Sequence, residues 1–569
     1  MSNEEIARVL EEMADILEIK GDEFYRIRSY RRAAESISHA PFAITTDTGE
    51  DQLRGIPGIG EAMARKTLEI AGTGTCAFRE ELLTDFPAGL LEVLRVRGVG
   101  PKRAALFYRE AHVNDLITLE QAARSGRLAE LKGMGKKSEA AVIEAIDMLR
   151  RVSGRTDLAT AREIASELAT TLGGGEKVLP AGSLRRGRET VGDLDLLTTT
   201  DNAEAQRLLA EHPSVDKVLL SGDTKTSVLL RSGMQVDLRV VPHESLGAAL
   251  QYFTGSQQHN VRLREIAQAR GLRLNEYGLY DERDADRRVA GESEEGIYEA
   301  LGLPWIPPEL REDAGEIAAA REGRLPKLVT LRDIRGDLHD HSTWTDGANT
   351  IAEMAAGAGA AGWDYIAITD HSKALGVAGG LNEQQVLAQL GEVRAANEQG
   401  AGARVLSGIE VDVLAGGALD LPEEVLAQLD FVVASVHSAH GQSESVMTAR
   451  IAGAALSPHV DAIAHLTGRV LGRRDEISFD FEAILGACLA GHTALEINCS
   501  PDRLDLPDIR ARMAAERGVM LTLGTDSHAV HHLPNITFGI TVARRAWLEP
   551  RHLLNTRSAD EVLAWVGAG

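Results

Sequence analysis

The sequence runs to 569 residues, with 44% hydrophobic and only 4% aromatic residues and a formal net charge of −24. That length is several times an ordinary domain of roughly 100–200 residues, so a single core is excluded and about three to five folded units are expected. The acidic balance excludes nucleic-acid binding by bulk attraction and leaves local devices such as backbone amides, helix N-termini and a few placed arginines.

The opening stretch, MSNEEIARVLEEMADILEIK, predicts an acidic amphipathic helix, without the basic and then apolar profile of a signal peptide. No run approaches the roughly 20 apolar residues of a membrane span. Cys76, Cys488 and Cys499 are too scattered for a disulfide framework, which suits a reducing compartment. The expectation is a cytoplasmic, nucleoid-associated protein with no membrane partner, and a monomer.

Three segments then repeat a hydrophobic-Gly-hydrophobic-Gly pattern ahead of helix-forming residues: GIPGIGEAMA from Gly55, RVRGVGPKRA from Arg95 and LKGMGKKSEA from Leu131. Two glycines one residue apart make a tight turn between helices, and the amides opening the second helix are free to receive a phosphate oxygen. The pattern resembles the helix-hairpin-helix motif, which holds the DNA backbone without reading sequence. Gly58, Gly60, Gly98, Gly100, Gly133 and Gly135 are the DNA-contact candidates.

From about Asp157 helical stretches alternate with short apolar runs (VGDLDLLTTT, DKVLLSG, TSVLLRSG, MQVDLRVV), the strands of a mixed sheet. Asp193 and Asp195, two apart on one strand, point to the same face, and Asp237 lies on a second strand able to run alongside. Three such carboxylates suit two hard cations, Mg²⁺ or Mn²⁺, with sites left for triphosphate oxygens and an attacking hydroxyl. AGSLRRG supplies Gly182 and Ser183 for a phosphate-holding turn, with Arg185 and Arg186 beside it for the triphosphate charge.

A polar stretch at residues 317–335 reads as a linker. Beyond it apolar runs of strand length alternate with Ala-rich helices in an α/β barrel rhythm, and imidazoles and carboxylates recur at the strand ends: His339, His341, Asp346, His371, Glu410, His437, His465, Asp526 and His528. Mixed imidazole and carboxylate ligands suit Zn²⁺ or Mn²⁺, and this many suits two or three ions bridged by a carboxylate, assigned to Glu410. Glu496 and Asn498 are expected to be structural, and His440, His459, His492, His531 and His532 fall outside the ligand pattern.

Taken together, GSLRRG, GDLDLL, the single-Asp strand and YFTGSQQHNVRLR resemble the palm and thumb of the family X DNA polymerases related to polymerase beta. The resemblance implies that Tyr252 and Phe253 pack against the incoming sugar, with Gly255 in the same nucleotide-binding segment. It further implies that Asn260 faces the incoming base, that Arg264 reaches the template and that Arg239 couples closure to the aspartates. In the N-terminal segment it places Lys66 as a Schiff-base lysine for removal of a 5′-deoxyribose phosphate, with Tyr30 and Arg26 beside the 5′-phosphate; Ala62 departs from the family's usual basic residue.

The C-terminal ligand series resembles the PHP domain (polymerase and histidinol phosphatase), with every expected ligand position filled. Fused to a polymerase, it implies 3′-5′ exonuclease or related phosphoesterase action on DNA 3′ ends, abasic sites or 3′-phosphates. The expected organisation is a helical helix-hairpin-helix domain at 1–80 and a helical fingers-like domain at 81–153. A nucleotidyltransferase palm follows at 154–245, an α+β thumb at 246–316 and a distorted TIM-like PHP barrel at 336–569. The expected function is short-gap filling on gapped or nicked DNA with dNTPs. The alternatives are a small-molecule phosphoesterase fused to a non-templated nucleotidyltransferase, and a DNA-binding repair scaffold.

Overall fold

The computed structural model describes the chain except residues 1–2, 39, 41–43, 47, 57, 86, 88, 95, 97, 153–154, 203, 285–286, 401 and 569. Pro57, Arg95 and Arg97 of two glycine motifs, and the expected boundary at 153–154, therefore lie outside the described residues. The chain divides into two compact units, residues 1–153 and residues 154–569 apart from the segment Asp346–Asn349.

Residues 1–153 are helices joined by short turns. In Asn3–Lys20, Ile6, Leu10, Met13 and Leu17 recur at helical spacing and bury against Ala33, Ala34 and Ile37 of Phe24–Ser38. Each glycine motif turns as its spacing demands. Gly58, Gly98 and Gly133 adopt φ values of +86°, +79° and +83°, which a side chain tolerates poorly. The second glycines precede the helices Glu61–Thr73, Pro101–Ala111 and Lys136–Val152. A Cβ added to Gly60, Gly100 or Gly135 would meet nothing within 4 Å, so open space lies before these three helix starts.

The expected palm contains a five-stranded mixed sheet in the order Leu179–Pro180, Asp193–Thr199, Gln235–Val241, Lys225–Leu230, Val215–Ser221. Asp193–Thr199 and Gln235–Val241 run parallel and the other pairs antiparallel. The thumb joins the helices Leu246–Thr254 and Gln257–Ala269 to a three-stranded antiparallel sheet and the helix Glu294–Ala300. The expected linker at 317–335 is not an open tether. It contains most of the helix Glu316–Arg321, buries Val329, and the Val329 N–H donates to Leu548 O at 3.0 Å. Ala319, Ala320 and Val329 are core residues, a role the flanking charges hide in the sequence.

Seven parallel strands follow in sequential order: Gly336–Asp340, Tyr365–Ile368, Arg404–Asp412, Phe431–Ser435, Ala462–Ile463, Ala494–Asn498 and Leu521–Gly524. The sheet nearly closes on itself, because Asp526 N–H donates to His339 O and His341 N–H to Ser527 O, each at 2.9 Å. Tyr365 and Ala367 face one buried cluster while Ile366 and Ile368 face another, the two-residue period of a strand covered on both sides. The helix Ile536–Arg545 joins this barrel to the palm: Phe538 packs against both hydrophobic cores, and Arg162 Nη2 donates to Thr541 Oγ1 at 2.8 Å. Among the described residues no helix is long and apolar enough to cross a membrane.

Candidate active sites

Parallel pairing sets Asp195 directly opposite Asp237, with Asp193 two residues earlier on the same face. Gly182, at φ +60°, makes room for this arrangement, since a Cβ there would stand 2.6 Å from Asp195 Oδ2. Burial, then the neighbouring charges of Asp193 and Asp237, push the Asp195 pKa up to about 6. Asp237 shifts the other way: burial opposes its charge, but hydrogen bonds from Lys225, Ser227 and Gln235 hold it below the usual carboxylate range. Lys225 Nζ lies 2.6 Å from Asp237 Oδ2, and Gln235 Nε2 donates to Oδ1 at 3.1 Å. Register thus brings the three carboxylates to one face of the sheet, close enough for the charges of Asp193 and Asp237 to act on Asp195. Among the described residues they do not form a set with all ligand atoms within 4.8 Å.

Ser183 follows Gly182 in the short helix Gly182–Arg185. The two arginines after it reach across to the thumb. Arg185 directs both ends of its guanidinium at Glu294 of the thumb, 2.8 and 2.6 Å away, and Glu294 also receives the fully buried Arg311 at 2.6 Å. Arg186 donates to Thr254 O at 2.6 Å and to Glu312 Oε1 at 3.1 Å. Both therefore brace palm against thumb, an arrangement that depends on contacts 68 to 126 residues apart in the chain. Gly255 (φ +68°) lies against this brace, a Cβ there standing 3.2 Å from Arg186 Nη1.

Arg239 sits 4.2 Å from the centroid of the Phe253 ring, and Phe253 meets Tyr252 edge-on at 5.1 Å. Asn260 is buried, accepting from Gln251 Nε2 at 2.7 Å and donating to Tyr252 O at 2.6 Å, so it fixes the aromatic pair. Arg264 is half-buried on the helix Gln257–Ala269. In the helical unit Lys66 Nζ hydrogen-bonds Tyr30 Oη at 2.6 Å and lies 4.6 Å from the Phe78 ring centroid, while Arg26 covers the same ring at 4.9 Å.

The second site gathers its expected residues around one carboxylate. Glu410 Oε2 stands 2.7 Å from His371 Nδ1, 3.5 Å from His339 Nε2 and 3.7 Å from His341 Nε2. Its Oε1 stands 3.0 Å from His465 Nε2 and 3.2 Å from His437 Nε2. His341 Nε2 also lies 3.1 Å from Asp526 Oδ1. Ligand atoms fall within 4.8 Å of one another in three sets: His341, Asp346, His371 and His528; His339, His341 and Asp526; His371, Glu410 and His437.

This donor set fits divalent cations. His339 Nε2 and His341 Nδ1 are buried without a hydrogen bond. Burial, then the adjacent His528 and His371, push the His341 pKa down to about 3, favouring the neutral imidazole that a metal ligand requires. Against burial, the surrounding imidazoles hold Glu410 well below the carboxylate range, as befits a bridging anion.

Glu496 and Asn498 do more than structural work. His339 Nδ1 donates to Glu496 Oε1 at 2.6 Å, the His465 N–H donates to Glu496 Oε2 at 2.7 Å, and Asn498 Nδ2 donates to Asp526 Oδ2 at 3.1 Å. Asp412 Oδ2 lies 3.4 Å from His437 Nδ1. Glu496 and Asp412 thus fix the rings of His339 and His437 from behind, as metal-ligating imidazoles need, while Asn498 holds the Asp526 carboxylate. The sequence signal was available for Glu496 and Asn498, which share a strand face two residues apart, as Asp193 and Asp195 do. Lys225 gave no such signal, since a lysine in TKTSVLL reads as a solvated strand residue.

Family comparisons agree with this architecture. A helix-hairpin-helix domain model matches residues 1–76, a SAM-like helix-hairpin-helix tandem 90–148, a DNA polymerase beta thumb 249–312 and a PHP domain 337–497. The chain is 37% identical over 572 residues to the DNA polymerase/3′-5′ exonuclease PolX of Bacillus subtilis (strain 168), covering 100% of this chain and 99% of that protein. It is 25% identical over 342 residues to DNA polymerase lambda of Arabidopsis thaliana, covering 54% and 62% of the two chains. It is 31% identical over 201 residues to a probable phosphatase of Acetivibrio thermocellus, covering 34% and 78%. With polymerase thumb and PHP barrel on one chain and similarity extending from end to end, the protein belongs to the bacterial family X DNA polymerases that carry a PHP domain.

Proposed function

We propose that this protein fills short gaps in damaged DNA by template-directed nucleotide addition at the palm and trims 3′ ends by 3′-5′ exonuclease action at the PHP barrel. The observation that carries this reading is the presence, on one chain, of two separate donor sets. One is built on the opposed Asp195 and Asp237 and the other on Glu410 ringed by imidazoles. Both reactions depend on divalent metal: Mg²⁺ or Mn²⁺ at the aspartates, and two or three Zn²⁺ or Mn²⁺ ions in the barrel. When bound, these cations supply positive charge to phosphoryl oxygens and activate the attacking oxygen.

The residues do the rest. At the palm, Asp193, Asp195 and Asp237 hold the metal while Gly182 and Ser183 receive the triphosphate. The raised pKa of Asp195 makes a proton the competitor of metal there. Tyr252 and Phe253, fixed by Asn260 and Arg239, form the wall for the sugar of the dNTP. In the barrel, His339, His341, Asp346, His371, Glu410, His437, His465, Asp526 and His528 hold the ions, with Glu496 and Asn498 keeping the donors in place. The three hairpin turns grip the DNA backbone through open amides ahead of their helices.

Primer extension and degradation on one gapped substrate test the proposal. Asp193→Ala removes extension and spares degradation, whereas His339→Ala does the reverse; loss of both activities in either folded variant refutes separate sites. A second activity is favoured by the placement of Lys66. Its amine, held between the Tyr30 hydroxyl and the Phe78 ring, is positioned for Schiff-base chemistry on a 5′-deoxyribose phosphate. Borohydride trapping that fails on wild-type protein rejects it.

A further inference from the structure

The loop after the barrel strand Ala494–Asn498 carries an arginine that the ligand pattern does not use. Arg503 Nε lies 4.0 Å from Asp526 Oδ2, its side chain is 22% exposed, and among the described residues its guanidinium forms no hydrogen bond. A half-open guanidinium beside a metal-ligand carboxylate is disposed toward an anion arriving from outside, such as a phosphodiester oxygen.

The loop folds back on the ligand-orienting strand. Arg503 N–H donates to Ser500 O at 2.9 Å, Ser500 N–H donates to Asn498 Oδ1 at 3.0 Å, and Leu506 N–H returns to Glu496 O at 3.2 Å. What holds its outer edge is Arg469, buried to 8% exposure. Arg469 Nε donates to Arg503 O at 2.9 Å and its Nη2 donates to Leu504 O. The same Nη2 donates to Glu189 Oε2 at 2.8 Å, and Glu189 belongs to the palm, directly after the GSLRRGR segment. One buried guanidinium thus joins two carbonyls of the loop facing the nuclease site to a carboxylate of the polymerase.

We propose that Arg469 is a positioning residue of the nuclease reaction, which sets Arg503 over Asp526 to bind the phosphodiester of the 3′-terminal nucleotide and is itself oriented by Glu189 of the palm. This rests on the nuclease reading above and extends it: part of the nuclease phosphate site is held in place by the polymerase half of the chain. No bond is made or broken by these three residues; their work is orientation and charge.

The test uses the full-length protein with Mn²⁺ and a single-stranded oligonucleotide, alongside calorimetric Mn²⁺ uptake and the affinity for thymidine 5′-monophosphate. Arg503→Ala lowers kcat/KM for degradation about 100-fold and weakens monophosphate binding about tenfold, with Mn²⁺ uptake unchanged. Arg469→Lys, which cannot serve two carbonyls and a carboxylate from one fork, costs about tenfold. Because a buried change risks misfolding, Glu189→Ala carries the decisive arm: about a tenfold loss of degradation, recovery in Glu189→Gln, which still accepts a hydrogen bond, and primer extension as in wild type. Wild-type degradation in Arg503→Ala or in Glu189→Ala overturns the proposal. So does a loss that tracks lost Mn²⁺ uptake, or a Glu189→Gln variant as poor as Glu189→Ala. A wild-type protein that degrades no DNA sinks the nuclease reading instead, and the order of monophosphate affinities among the variants still decides the role of the three residues.

Discussion

Lys225 Nζ and Asp237 Oδ2 stand 2.6 Å apart across neighbouring antiparallel strands of the palm, an ammonium pairing with the carboxylate that faces Asp195. With its side chain 26% exposed, the lysine makes a pair worth on the order of 1 kcal/mol. With Asp237 holding metal as proposed, the charge of Lys225 would compete with the ion for that carboxylate. Lys225→Met is therefore expected to lower the Mg²⁺ concentration for half-maximal primer extension about fivefold. Magnesium titration of extension rates measures this, and a higher requirement would mean that the lysine helps build the metal site.

Glu294 joins palm and thumb by accepting both Arg185 and Arg311. Although burial opposes its charge, these arginines hold its pKa down at about 2 against an ordinary 4.5. A depressed carboxylate stabilises the fold above its unfolded value, and that contribution is lost as pH falls from 4.5 through about 2. Glu294→Ala strands two guanidinium groups, one fully buried, and is expected to cost about 3–5 kcal/mol at neutral pH. Thermal melts over this acid range should show a shallower pH dependence in the variant than in wild type.

Glu410 faces His339, His341, His371, His437 and His465 at once. Mn²⁺ at a hundredfold excess over its dissociation constant should stabilise the wild-type barrel by about 2.7 kcal/mol. Glu410→Ala should lose that Mn²⁺-dependent rise in Tm together with degradation of 3′ ends, and keep primer extension within about twofold of wild type, as independent sites require. Chelation of wild-type protein should reproduce the lower Tm.

The paired glycines of the helical unit separate folding from DNA binding. Gly98 has φ +79°, so Gly98→Ala should destabilise by about 1–2 kcal/mol. Gly100 has φ −82° with open space around its Cβ direction, so Gly100→Ala should leave Tm unchanged while its methyl crowds the amides that open Pro101–Ala111. A loss of gapped-DNA affinity of about threefold to tenfold in a mobility-shift titration is expected.

The barrel donors that the structure brings together were legible because nearly all of them fall at or just past the end of an apolar strand, and strand periodicity survives in a single sequence. The same holds for Asp193 and Asp195, whose two-residue spacing fixes their shared face. What the sequence hid are pairings across distance. Nothing in the segment around Arg185 announces its pairing with Glu294, and Lys225 reads as solvent-facing until its strand is set against Asp237. The stretch 317–335 misled for another reason: its charges flank small apolar residues that tertiary packing buries.

The helix Ile536–Arg545 carries a cost for any shortened form of this gene. Arg545 donates to Arg186 O at 2.8 Å and pairs with Glu312 at 3.0 Å, Arg544 pairs with Glu309 at 2.7 Å, and Phe538 closes the palm core. A polymerase half ending near residue 335 would lay bare the core under Phe538 and deprive Glu309 and Glu312 of these arginines. Loss of the barrel by deletion would therefore weaken the polymerase half as well, which gives selection a physical reason to inherit the two together.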